Sequence, residues 1–378
     1  MKIKATETNF SESDVDFILN EFKIILRGES YLSQYKFSSQ FENKFAKYFS
    51  TKYAVSCNSG TSALELIFRS IGIKGKEVIL PSNTFIATAN AIMNAQGVLK
   101  FADCDDSMCL DYESVISKVN KNTIAICHVH IGGIVSKSAL LLAEFCKKNK
   151  IWFIEDAAQA HGSKYKNFRA GSIGDAAGFS FYSTKVMTTG EGGMVSTNNH
   201  KIKESSISLR EFGKAPNGIY TNIYTNFGYN WRMQEVSALM GIRQLKSLKN
   251  NIMKRREIAQ LYDAQLSNVK DIELLGLEYR NHYNGFKYII KVHADLRDKL
   301  HLYFVDNDIQ PSGYVYEFPL HKMKLFSEYN SIELPTTEDF CSTHFCLPIY
   351  PSMSMEKVDK VCKVIKSFFN QTKFNLLF

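Results

Sequence analysis

Between Tyr53 and Asp156 the chain switches repeatedly between two hydrophobic periods, and nothing else in it constrains the fold as tightly. "YAVSC" is strand-like and "SGTSALELIFRSIGI" helical; "EVILP" is strand-like and "TFIATANAIMNAQG" helical. "VLKFAD" and "TIAICHVH" are again strand-like, and the helical "SKSALLLAEFCKKNK" leads into the strand "IWFIED". Short β-rich runs alternating with helices of about 10–15 residues predict βαβ crossovers and a largely parallel sheet. Such sheets place ligands just beyond the carboxyl ends of their strands. Those ends are where chemistry is to be sought.

The flanking segments read differently. At the N-terminus a helix is expected with Ser11 or Ser13 as cap and Val15, Ile18, Phe22 and Ile25 apolar. A capping box, Ser39 to Glu42, then predicts the start of a second helix in "SSQFENKFAKYF". From Trp231 to about Leu266 the pattern is one long helix, followed by "GFKYIIKVH", a helix around "LRDKLHLYFVDN" and a last one near "MEKVDKVCKVIKSFF". The reading is α/β: residues 1–250 form an N-terminal segment and a large domain, and residues 251–378 a smaller α/β domain.

Several function classes fall away. No apolar run approaches the roughly 20 residues that span a bilayer, and "MKIKATETNFSESD" lacks a signal-peptide core. A soluble, cytoplasmic chain with no membrane partner is expected. The eight cysteines are scattered, without C-x-x-C or zinc spacing, so reduced core thiols are expected and no metal site. Net charge is +8, and the densest basic cluster is "RQLKSLKNNIMKRREIAQL", 243–261. Its leucines and isoleucines recur at helical spacing, so it reads as the solvated face of an amphipathic helix, not a nucleic-acid surface. A modest positive balance also suits an anionic small-molecule substrate.

Four features fall at strand ends or helix starts. "NSGTSAL", 58–64, follows a strand and opens a helix, so Gly60, Thr61 and Ser62 present N–H groups and hydroxyls to an anion. Such a turn also caps ordinary helices. Asp156 emerges at the end of "IWFIED", as a functional carboxylate or as the N-cap of a helix in "AAQAHG". Lys185 ends the apolar run "GFSFY" before a glycine-rich turn, five residues after Ser180, where a merely solvated lysine is the bland alternative. Phe85 stands at a helix start after "EVIL", and core packing is its ordinary role. Taken together they match one cofactor. A lysine amine forms a Schiff base with an aldehyde. Pyridoxal 5′-phosphate further needs a carboxylate at its ring nitrogen, a flat side chain to stack on, and donors for its phosphate.

The chain also resembles a family. "SGTSALELIFRSIGI", "PSNTFIATANAI", "IEDAAQAHGSKYKN", "AGSIGDAAGFSFYSTKVMTTGEGGMVSTN" and "GYNWRMQEVSALMGIRQL" look like the DegT/DnrJ/EryC1/StrS sugar aminotransferases. The resemblance implies fold type I (aspartate aminotransferase-like), a mainly parallel sheet in a large domain plus a smaller α/β domain, and a homodimer with shared active sites. It makes Lys185 the cofactor lysine, Asp156 the pyridine-nitrogen partner and Gln159 the residue near the cofactor's 3′-oxygen. Ser180 becomes a phosphate ligand and Phe85 the stacking residue. Asn230, in "GYNWRM", becomes an asparagine reaching the phosphate from the other subunit. His321, in "FPLHKM", falls near a substrate-side histidine of the family.

The implied reaction is transamination from L-glutamate to a keto sugar. "TTGEGGM" looks like the 4-aminotransferases, which implies a nucleotide-linked 4-keto-6-deoxyhexose used for surface polysaccharide or glycoconjugate synthesis. A small phosphorylated ketone is the alternative acceptor. Loops 212–229 and 311–321 are expected to shape the acceptor pocket. Rival classes are a pyridoxal phosphate-dependent lyase with a mobile cysteine, and a non-catalytic, cofactor-binding regulatory protein.

Overall fold

The computed structural model describes residues 2–8, 10–215 and 222–375. Helices α1 (Glu12–Ile24) and α2 (Lys36–Phe49) lead into the first strand, β1 (Tyr53–Cys57). Next come α3 (Gly60–Ile71), β2 (Glu77–Pro81), α4 (Ile86–Asn94), β3 (Val98–Ala102) and the short α5 (Tyr112–Ile116). The alternation continues through β4 (Thr123–Val129), α6 (Lys137–Asn149) and β5 (Trp152–Asp156). A small hairpin, β6 (Lys164–Tyr165) and β7 (Phe168–Arg169), precedes β8 (Ala176–Ser180), β9 (Gly193–Thr197) and α7 (His200–Arg210).

Seven of these strands form one sheet in the order β1-β9-β8-β5-β4-β2-β3. All run parallel except β9, which is antiparallel to both β1 and β8. The sheet is thus parallel wherever a helix crosses over, as the alternation predicts. Its strands are apolar on both faces because both are covered. Val78 and Leu80 pack under α3 and α4, while the intervening Ile79 packs against α6. Phe179 and Phe181 meet Phe41, Phe45 and Phe49 of α2. The resulting scaffold is rigid, and its carboxyl edge can position side chains closely.

The C-terminal part holds α8 (Glu235–Leu266), the antiparallel strands β10 (Glu273–Leu274), β11 (Tyr288–Lys291) and β12 (His344–Leu347), and helices α9 (Ala294–Asp306), α10 (Pro335–Thr343) and α11 (Met355–Asn375). Helix α8 runs through residue 250 unbroken. Its Leu245, Leu248 and Ile252 pack under the large sheet, and its Ile258, Tyr262 and Leu266 belong to the C-terminal core. The N-terminus joins that second core too: Ile3 is fully buried there and pairs with Ile309.

Two local expectations need correcting. Ser11 does cap α1, in a capping box with Asp14. Ser39 and Glu42, however, lie inside α2, so they form no box. The N–H groups that open α2 are taken by the buried carboxylate of Glu235, from Tyr35 (2.9 Å), Phe37 (2.6 Å) and Ser38 (3.0 Å). A distant acid supplies the cap, and Glu42 instead pairs with Arg210 at 2.6 Å. The basic cluster of 243–261 is also less solvated than expected. Arg243 pairs with Asp14, Arg255 donates to the carbonyls of Gly285 and Ile349, and Arg256 donates to that of Tyr283. These arginines fasten α8 to its neighbours. No helix among the described residues is long and apolar enough to cross a membrane.

Candidate active site

At the carboxyl ends of β1, β5 and β8 a cavity of about 470 Å³ opens, where the alternation says a ligand should lie. Gly60, Thr61, Phe85, Asp156, Gln159, Ser180 and Lys185 all line it. Close packing of backbone brings the strand ends together. A β-carbon on Gly60 would stand 2.6 Å from that of Ser180, and one on Gly193 only 2.0 Å from the carbonyl oxygen of Ser59. Glycine at these two places lets the N-terminus of α3 seat against β8 and β9. Ser59 caps that helix by accepting from the Ser62 N–H, and Ser59, Gly60 and Thr61 face the cavity. A helix N-terminus with free N–H groups favours an anion.

Asp156 closes β5, flanked in register by Val129 of β4 and Gly178 of β8. Its Oδ2 accepts from Thr88 Oγ1 at 2.7 Å and its Oδ1 from the Ala158 N–H at 3.1 Å. Residues 157–163 form turns, so the helix expected in "AAQAHG" is absent and the carboxylate caps nothing. Burial pushes its carboxyl upward against those bonds. The preceding Glu155 faces the other side of the sheet and is fully bonded. It accepts from the N–H groups of Gly171 (2.7 Å), Ile173 and Gly174 (both 2.8 Å) and meets His130 Nε2 at 2.8 Å. Glu155 is structural, whereas Asp156 keeps acceptor capacity for a ligand.

Lys185 is half-buried, its Nζ 5.1 Å from the centre of the Phe286 ring. Burial draws its amine down from 10.5 to about 8; Asp156 opposes this and Lys287 adds to it. An amine so placed is partly unprotonated near neutrality, which a nucleophile or proton carrier requires. Gln159 accepts from the Gly132 N–H at 2.8 Å and donates to the hydroxyl of Tyr316. The Phe85 ring, 60% exposed, lies 6.4 Å from that of Tyr316. A buried carboxylate, an amine, an exposed ring and a helix N-terminus on one cavity fit pyridoxal 5′-phosphate.

Three expected residues lie elsewhere. Ser62 turns away, its hydroxyl bonded to Asn58 Oδ1 at 2.7 Å. Asn230 is exposed and bridges to Glu211, five residues before α8, so it neither starts nor caps that helix. His321 is fully buried, with Nδ1 on Ser82 Oγ (2.7 Å) and Nε2 on Glu338 (3.0 Å), away from the cavity. From loop 311–321, Ser312, Tyr314, Val315 and Tyr316 reach the cavity; from 212–229, residues 216–221 lie outside the described residues and the rest do not line it. Sequence reasoning missed Thr88, which recurs one helical turn after Phe85 and was open to that reading. Nothing in the sequence pointed to Phe286, Lys287, Ala5 or Thr6, which also line the cavity. All eight cysteines are free and buried, and none lines it, so a cysteine-dependent lyase has no nucleophile here.

The DegT/DnrJ/EryC1/StrS aminotransferase family matches residues 12–366. The chain is 32% identical over 340 residues to a GDP-perosamine synthase of Escherichia coli O157:H7, covering 89% of this chain and 92% of that protein. It is 35% identical over 336 residues to dTDP-3-amino-3,6-dideoxy-alpha-D-galactopyranose transaminase of Aneurinibacillus thermoaerophilus, covering 87% and 89%. Among solved structures, NtdA of Bacillus subtilis with bound cofactor PMP superposes with a TM-score of 0.87 at 27% identity, over 96% of this chain and 83% of that one.

Proposed function

The chain belongs to the DegT/DnrJ/EryC1/StrS family of pyridoxal phosphate-dependent aminotransferases, and from that premise we propose that it aminates a nucleotide-linked 4-keto-6-deoxyhexose with L-glutamate as donor. The observation that carries this reading is that the Lys185 amine and the Asp156 carboxylate line one cavity of about 470 Å³. When bound, the cofactor supplies an electrophilic carbon and a ring that delocalises an electron pair. Lys185 tethers it and, once released, takes the proton from the donor's α-carbon and later delivers one to the acceptor carbon. Asp156 holds a proton at the ring nitrogen, and Thr88 fixes the carboxylate that does so. Gln159, held by Gly132 and Tyr316, would meet the 3′-oxygen, and Phe85 would stack on the ring. Gly60, Thr61 and Ser180 serve the phosphate.

The relative named for a 3-amino sugar supports a second reading, amination at C3. A panel of 3-keto and 4-keto nucleotide sugars and small keto-phosphates, with L-glutamate, separates these acceptors. Turnover of none of them, with a visible band that ignores glutamate, would sink the reading in favour of a binding protein.

The homodimer is part of the proposal. Phe227 is fully exposed and Tyr31, Leu32, Phe212 and Tyr224 are each about half exposed or more, apolar side chains that a second copy would cover. Asn230, exposed on the same segment, then serves the partner's phosphate. Mixing inactive Lys185→Ala and Asn230→Ala proteins under subunit exchange should restore activity above either parent, since one hybrid site has neither defect. Proven heterodimers without recovery would place both residues in one site. Eight free, buried thiols support a reducing compartment, the cytoplasm.

A further inference from the structure

We propose that Lys287 receives the carboxylate of the amino-acid donor. Lys287 directly precedes β11 and lines the cavity beside Phe286, the ring over which the Lys185 amine lies. Its Nζ donates to the Ser312 carbonyl at 2.6 Å and to Ser312 Oγ at 2.8 Å. An ammonium has three donors, so these neutral partners leave it one donor and its whole charge. Among the described residues no carboxylate forms an ion pair with it. The charges around it deepen the deficit. Lys185 and Arg255 add positive charge beside it, and Arg255 donates to the backbone carbonyls of Gly285 and Ile349. Of the cavity's carboxylates, Asp156 is bonded to Thr88 and Glu191 is exposed. A half-buried ammonium without a counter-ion is costly to the fold, and burial draws this amine down. The cost is offset when a ligand brings the anion.

The position selects which anion. The cofactor's phosphate has its donors at the start of α3. A nucleotide-linked hexose carries its diphosphate on C1, across the ring from a C4 ketone. An amino acid carries a carboxylate on the very carbon whose proton Lys185 takes, so its anion must sit close to that amine.

This inference rests on the proposed use of L-glutamate. Its test measures the two half-reactions separately in Lys287→Met and Lys287→Arg holoenzymes: the spectral change on adding L-glutamate, and the return on adding the keto sugar. The half-saturating glutamate concentration should rise about tenfold or more in Lys287→Met. The acceptor's KM should stay within about twofold, and Lys287→Arg should recover most of the donor affinity. A parent enzyme that ignores L-glutamate overturns the donor reading and this inference with it. A responsive parent with an equally responsive Lys287→Met overturns the inference alone. So does a raised acceptor KM with unchanged glutamate dependence, or a variant that loses the cofactor's absorbance and so shows Lys287 serving the cofactor.

Discussion

The cavity has two walls of different construction. One is made of strand ends and helix starts, with Ser59, Gly60, Asp156, Ser180 and Lys185 set by the register of a seven-stranded sheet. The other comes from the C-terminal part, with Phe286, Lys287, Ser312 and Tyr316 on connections beside short strands. On the first wall, displacing a side chain means disturbing paired backbone, so groups that need fixed geometry belong there. The second wall is attached through longer connections and a smaller sheet, and it suits groups that recognise a substrate. The contrast predicts a division of labour. Substitutions on the strand wall should lower turnover, and those on the connecting wall should raise KM.

The largest effect expected is from Lys185→Ala: turnover is lost, and the bound cofactor can no longer be fixed to the chain with borohydride. Full activity in that variant would remove Lys185 from the chemistry. Asp156→Asn keeps shape but not charge, and should lower turnover on the order of 10³-fold, more than it lowers cofactor affinity. An unchanged turnover in the remaining holoenzyme would make Asp156 structural. Thr88→Val removes one bond to a buried carboxylate and should cost about tenfold in turnover. If KM alone moved, the wall would not be the catalytic one. Tyr316→Phe, across the cavity, should raise KM by about fivefold with turnover little changed; a purely kcat effect would break the contrast.

The smallest effect concerns stability without cofactor. The Lys185 amine is drawn down to about 8, below its ordinary 10.5. The unfolded chain therefore binds the proton more tightly, and this group's contribution to stability rises as pH climbs from 8 toward 10.5. Cofactor-free Lys185→Met should melt above the parent at pH 7, with the gap closing by pH 10. A constant gap across that range would trace it to packing.

The same contrast explains what could be read in advance. The strand wall was legible because its residues sit inside contiguous motifs, so "IWFIED", "NSGTSAL" and "GFSFYSTK" each carry an element and its functional side chain together. Lys287 was not legible, and Tyr316 was legible only as part of the loop 311–321. They become neighbours of Asp156 only when a separate core docks, and no local period encodes that docking. The failed capping box has the same cause. Ser39 and Glu42 satisfied a local rule, but Glu235, brought by the tertiary fold, won the N–H groups of α2 and left Glu42 to Arg210. His321 failed in a further way: a histidine recognised from its surroundings in sequence is fully engaged by Ser82 and Glu338 inside the fold.

The contact between Ile3 and Ile309 bears on synthesis at the ribosome. Ile3 pairs with Ile309, and the Ala5 N–H reaches Gln310, 305 residues away in sequence. Residues 3 and 5 thus find their place late, because their partners emerge only after the large sheet is complete. Ala5 and Thr6 line the cavity, so a nascent chain can hold a finished sheet with Lys185 in place and still lack part of the cavity wall. Closing so long a loop costs little more entropy than closing a shorter one, but it comes late.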